Sequence, residues 1–197
     1  MNKEKITGVI LAGGKNSRMG SDKGMLTVDG KKIIERILDA MKPVVDEIII
    51  ISNEKNYDYL GYKVYNDIIK ECGPMGGIHA ALSFSATEKN LIVACDMPFI
   101  TSSVLKQIIN NSTDCGIAVP EFLGEAQPLC GVYSKSCLSK FVKLLKKGNW
   151  KMKDAFNYFK VNNIRFTKDE LPENHFLNLN TPVEYQTIKQ TENEYFN

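Results

Sequence analysis

The stretch Gly13-Gly14-Lys15-Asn16-Ser17-Arg18-Met19-Gly20-Ser21-Asp22-Lys23-Gly24 sets adjacent glycines among cations, directly behind the apolar run Ile6 to Leu11. Glycines let the backbone come close to an oxygen-rich ligand and turn successive N–H groups toward it, as an anion nest does. Lys15, Arg18 and Lys23 add the mobile positive charge that a tri- or pyrophosphate needs. From the glycines alone, a plain strand-to-helix turn with surface cations fits as well. Spacing excludes two familiar loops: no glycine starts G-x-x-x-x-G-K-[ST], and G-x-G-x-x-G is absent because Gly13 and Gly14 are adjacent and the next glycine is Gly20.

Asp96 follows the apolar run Leu91 to Cys95. A carboxylate there suits Mg²⁺, which is held by one or two carboxylates while phosphates and waters complete its octahedron. Capping the turn before Met97-Pro98 is the competing role. Asn53 and Asp67 also follow short apolar segments, where they can face a ligand or simply make turns. Asn178 and Asn180 alternate along an extended segment, which offers amide donors and acceptors on one face. The histidines, His79 and His175, have no partner spacing for a nucleophilic triad.

Strands alternating with amphipathic segments must position these residues, and that pattern argues for a mostly parallel sheet covered by helices. Ile6 to Leu11, Ile48 to Ile51 and Leu91 to Cys95 are apolar without alternation, as strands buried on both faces are. Val64-Tyr65, Ile117 to Val119 and Leu129 to Tyr133 read as further strands. Helical spacing recurs at Ile33-Ile34-Ile37-Leu38-Met41 before Pro43, after the Gly73 to Gly77 turn through Ile78, Ala81 and Leu82, at Val104-Leu105-Ile108-Ile109, at Leu138-Phe141-Val142-Leu145 before Gly148, and at Met152-Ala155-Phe156-Phe159. Thr181-Pro182-Val183-Glu184 is a capping box with proline at the first helical position, so a last helix starts there and should fray from Gln190 onward. Open α/β sheets bind ligands beyond the carboxyl ends of their strands, where Gly13, Asn53, Asp67 and Asp96 all fall.

A length of 197 residues with 43% hydrophobic and 24% charged side chains suits one domain, and a net charge of +2 gives no footprint for nucleic acid or for a polybasic membrane patch. Any positive field used for binding must be local. The apolar run after the charged N-terminus is too short for a signal-peptide core or a membrane span. Five cysteines without a C-x-x-C pair fit reduced thiols in the cytoplasm.

Leu11 to Lys23 resembles, at every fixed position, the motif L-A-G-G-x-x-x-R-M-G-x-x-K of the nucleotidylyltransferases. Gly73-Pro74-Met75-Gly76-Gly77, Cys95-Asp96-Met97-Pro98-Phe99 and Asn178-Leu179-Asn180-Thr181-Pro182 narrow the resemblance to the molybdenum cofactor guanylyltransferases, over nearly the whole chain. It implies a single α/β domain over 1–197 with a Rossmann-like three-layer fold, 1–100 serving mainly the nucleotide and 101–190 mainly the acceptor. The implied reaction moves GMP from GTP to the phosphate of molybdenum-bound molybdopterin and releases pyrophosphate. Arg18, Lys23 and Asp96 are then the catalytic residues. Leu11, Ala12, Gly13, Gly14, Lys23, Asn53, Asp67 and Asp96 bind the nucleotide, Asp96 also holds Mg²⁺, and Asn178 and Asn180 hold the pterin. Proteins that insert the cofactor and mature molybdoenzymes are the implied partners. Gln127-Pro128 stands where some members carry His-Pro. Cytidylyl transfer to the same pterin, nucleotidylyl transfer to a sugar phosphate, and a nucleotide-binding adaptor without chemistry are the alternatives.

Overall fold

The computed structural model describes residues 4–13 and 22–195, with 189–195 as backbone only. The strands are β1 (Ile6–Leu11), β2 (Thr27–Val28), β3 (Lys31–Lys32), β4 (Glu47–Ile51), β5 (Lys63–Tyr65), β6 (Lys89–Ala94), β7 (Ile117–Phe122), β8 (Glu125–Ala126), β9 (Cys130–Ser134) and β10 (Val161–Phe166). The helices are α1 (Ile33–Met41), α2 (Pro74–Phe84), α3 (Ser102–Asn110), α4 (Leu138–Lys146), α5 (Met152–Phe156) and α6 (Pro182–Tyr195).

The main sheet has the order β10-β7-β9-β6-β1-β4-β5, with β8 paired to β7, while β2 and β3 form a separate hairpin. β1 runs parallel to both neighbours, β4 and β6, and β5 extends the parallel set. Their unalternating sequences follow from burial on both faces. Ile10, Ile50, Leu91 and Val93 join the core layer that holds α1 and α3, whereas Val9, Leu11, Ile49, Ile51 and Ile92 join the layer that holds α2 and α4. A mostly parallel sheet between two helical layers is the expected three-layer fold.

β9 breaks the parallel pattern, pairing antiparallel with both β6 and β7. A parallel pair needs a crossover of a dozen residues or more, and residues 123–129 are too few for one. The chain instead reverses where Leu123 and Gly124 take positive φ (53° and 78°), which leads straight into β8. Other elements depart from the expected bounds for local reasons. α2 starts at Pro74, so Gly76 and Gly77 lie inside it rather than in the turn before it. α5 stops at Phe156, short of Phe159. α6 continues through Tyr195, past the point where fraying was expected. The hairpin β2–β3 and the edge strand β10 carry no apolar alternation that would have marked them. No helix among the described residues is long and apolar enough to cross a membrane.

Candidate active site at the carboxyl edge of the sheet

The carboxyl end of β1 is fixed from both sides. Ala12 N–H donates to the Ile51 carbonyl at 2.9 Å, and Cys95 N–H donates to the Leu11 carbonyl at 3.0 Å. The Ser52 hydroxyl donates to the Ala12 carbonyl at 2.8 Å and accepts from Glu54 N–H at 3.0 Å, in a side chain only 1% exposed. Leu11 and Ala12 are therefore buried and immobilised, and Gly13 emerges exposed at the edge. Ser52 was not singled out from sequence, although its place directly after the isoleucine run is the signal that could have found it. Gly14, Lys15 and Arg18 lie outside the described residues.

Lys23 opens a single 3-10 turn, Lys23–Met25, capped by Asp22, whose Oδ1 accepts from Gly24 N–H at 3.1 Å. Its Nζ donates to Asn180 Oδ1 at 2.7 Å and lies 3.4 Å from Asp96 Oδ2. Three sequence motifs thus meet at one ammonium group. The segment bearing Asn180 is docked onto the Asp96 loop, since Leu179 N–H donates to the Asp96 carbonyl at 2.9 Å. Glu184 Oε2 accepts from Asn180 N–H at 2.7 Å and Thr181 N–H at 2.9 Å, and Thr181 Oγ1 accepts from Glu184 N–H at 3.2 Å, which forms the expected capping box.

Burial pushes the Asp96 carboxyl above its ordinary range, with the Lys23 ammonium opposing that shift. Its side chain is 17% exposed, and its Oδ1 is buried with no hydrogen-bond partner among the described residues. A hard anionic oxygen kept dry and unpaired fits a divalent cation, and one carboxylate meets the usual need of Mg²⁺ when phosphates fill the remaining positions. Among the described residues no cluster of three or more His, Cys, Asp or Glu side chains could hold a metal by protein groups alone.

Asn53 and Asp67 pair with each other beyond β4 and β5: Asn53 Nδ2 donates to Asp67 Oδ2 at 3.0 Å, and Asp67 N–H donates to Asn53 Oδ1 at 3.1 Å. Asn53 is exposed and Asp67 half-buried at the edge, so the pair has capacity left for a ligand. Asn178 differs from Asn180. Its Nδ2 donates to the Phe176 carbonyl at 3.1 Å and its carbonyl accepts from Asn180 Nδ2 at 3.4 Å, so Asn178 braces the segment that carries Asn180 to Lys23. Gln127 is in the β8–β9 connection, where its N–H donates to the Pro120 carbonyl at 2.8 Å and its carbonyl accepts from Cys130 N–H at 3.1 Å.

Burial lowers both histidines below the ordinary imidazole range, with Asp67 opposing the shift at His79. All five cysteines are free thiols, and burial pushes Cys130 up to about 12 and Cys137 up to about 11, which leaves them unreactive. The chemistry available at the edge is charge neutralisation and positioning. A lysine ammonium, a largely buried carboxylate and a fixed run of backbone suit transfer between phosphates, which needs no protein nucleophile.

A family model for the MobA-like NTP transferase domain matches residues 8–158. A probable molybdenum cofactor guanylyltransferase of Flavobacterium johnsoniae is 38% identical over 186 residues, covering 94% of this chain and 97% of its own. One from Pelotomaculum thermopropionicum is 40% identical over 184 residues, covering 90% and 89%. Among solved structures, molybdopterin-guanine dinucleotide biosynthesis protein A of Archaeoglobus fulgidus shares the fold with a TM-score of 0.76 at 23% identity, covering 95% of this chain and 99% of that one.

Proposed function

The chain belongs to the MobA-like NTP transferase family, and on that premise we propose that it transfers GMP from GTP to the phosphate of molybdopterin, releasing pyrophosphate and forming the guanine dinucleotide. Relatives that share more than a third of its residues over most of both chains carry the name molybdenum cofactor guanylyltransferase. The observation that carries the reading furthest is the meeting of Lys23, Asp96 and Asn180 at one point. A motif lysine, a strand-end carboxylate and the segment assigned to the acceptor come together from distant parts of the sequence.

The acceptor phosphate is already an anion, so the protein's task is to align it with the α-phosphorus and to neutralise the leaving pyrophosphate. Leu11, Ala12 and Gly13 offer rigid backbone to the nucleotide, and Gly14 extends that run by the motif. Asn53 and Asp67 serve the nucleoside. Lys23 carries charge toward the phosphates, with Arg18 beside it in the motif. Asp96 is the residue to hold the divalent cation that this enzyme class uses, Mg²⁺ in our reading; when bound it supplies positive charge to the phosphates. Asn180 sits where the two substrate sides join, and Asn178 holds it there for the molybdenum-bound pterin. On this reading residues 1–100 serve mainly the nucleotide and 101–190 mainly the acceptor, and the product passes to proteins that insert the cofactor and mature molybdoenzymes.

Incubation with magnesium, molybdopterin and each nucleoside triphosphate in turn tests the proposal through pyrophosphate release. Release should require molybdopterin and be fastest with GTP. Equal or faster release with CTP, or release that ignores the pterin, would overturn it.

A further inference from the structure

Resting on the proposed role of Lys23, we infer that Tyr57 is a positioning residue for nucleotidyl transfer, locking the Lys23 turn to the nucleoside end of β4. A 3-10 turn of three residues cannot hold its own geometry, because it closes too few hydrogen bonds to offset the ordering of its backbone. A lysine side chain adds further rotamer freedom that has to be restricted. Something outside the turn has to fix where Lys23 begins.

Tyr57 does this through Asp22. Its hydroxyl donates to Asp22 Oδ1, the same oxygen that accepts from Gly24 N–H to cap the turn. Oδ2 of that carboxylate is buried without a hydrogen-bond partner among the described residues, and among them Oδ1 is the point at which Asp22 is held. Tyr57 is fully buried, at 0% exposure, in the core layer that also contains Ile50 of β4, and it follows Asn53 by four residues. Burial raises its hydroxyl far above the ordinary tyrosine range, so it remains a donor at any working pH.

Gly24 supplies an independent sign that the parts are fitted to each other. A Cβ there would stand 2.6 Å from the Tyr57 hydroxyl oxygen and 3.3 Å from the nearest ring carbons, so only glycine admits the hydroxyl. The turn that carries the phosphate-side lysine is thereby tied to a ring buried in the core layer that also holds Ile50 of β4. In-line attack depends on where the Lys23 charge is placed, and a misplacement on the order of 1 Å can cost about a hundredfold.

The test is a double-mutant cycle in the full chain. Tyr57→Phe removes one oxygen from a buried ring and should lower kcat by about tenfold or more, with the folded fraction unchanged by circular dichroism. In a Lys23→Ala background the same change should alter the residual rate by less than about twofold, because there is no ammonium left to place. A Tyr57→Phe loss of equal factor in both backgrounds, or an unchanged kcat with Lys23 intact, would overturn the lock. A Lys23→Ala enzyme as fast as wild type would instead sink the role of Lys23 on which the lock rests.

Discussion

Asp96 combines two demands that conflict. Burial disfavours its charge, and Lys23 offsets that only in part, so the folded chain binds the Asp96 proton more tightly than the unfolded chain does. The protonated group therefore favours folding below the ordinary value of 3.8, and that contribution is lost as pH rises through the raised folded value. At neutral pH the ionised carboxylate costs stability, and on the proposed reading it supplies the oxygen that binds the cation. Asp96→Asn should accordingly melt at a higher temperature than wild type near pH 7, with the gap closing below about pH 4. The same variant should need more magnesium to reach half of its much reduced rate. Thermal melts across pH, set beside a magnesium titration, check both halves. A variant that melts lower at pH 7 and keeps the wild-type titration would contradict this account of Asp96.

At the scale of elements, α6 acts on the site through its first turn. Burial opposes the shift, but the Asn180 and Thr181 N–H groups hold the Glu184 carboxylate below its ordinary value of 4.5, so its contribution is present above that pH and lost as pH falls through the lowered folded value. Thr181→Ala should cost about 1 kcal/mol in urea unfolding, and should slow turnover beyond that by loosening the segment that carries Asn180 to Lys23. An unchanged unfolding midpoint would contradict the cap. This box was legible because it is local, three residues apart with proline between. β1, β4 and β6 were legible because burial on both faces leaves an unbroken apolar run, and their ends located Asn53 and Asp96. β10 was not, since its pattern is largely exposed. The direction of β9 depended on a short connection rather than on its own residues. Contacts between distant segments left no local signal: nothing in the sequence pairs Asp22 with Tyr57, or shows that Asn178 braces while Asn180 reaches Lys23.

For the whole molecule, the parallel strands end on one edge, where Gly13, the Asn53–Asp67 pair and the Lys23–Asp96–Asn180 meeting point follow them, while the two core layers hold those strands. On the proposed reading, an edge that holds both substrates and supplies charge, without a protein nucleophile, should move the α-phosphoryl group directly between them. GTP labelled at its α-phosphorus or its γ-phosphorus distinguishes this most directly, with molybdopterin and magnesium present and the products separated. The account predicts α-label in the dinucleotide, γ-label wholly in pyrophosphate, and loss of both signals by about a hundredfold in Lys23→Ala. γ-label in the pterin product or in inorganic phosphate, or α-label retained on the protein when the acceptor is withheld, would contradict it.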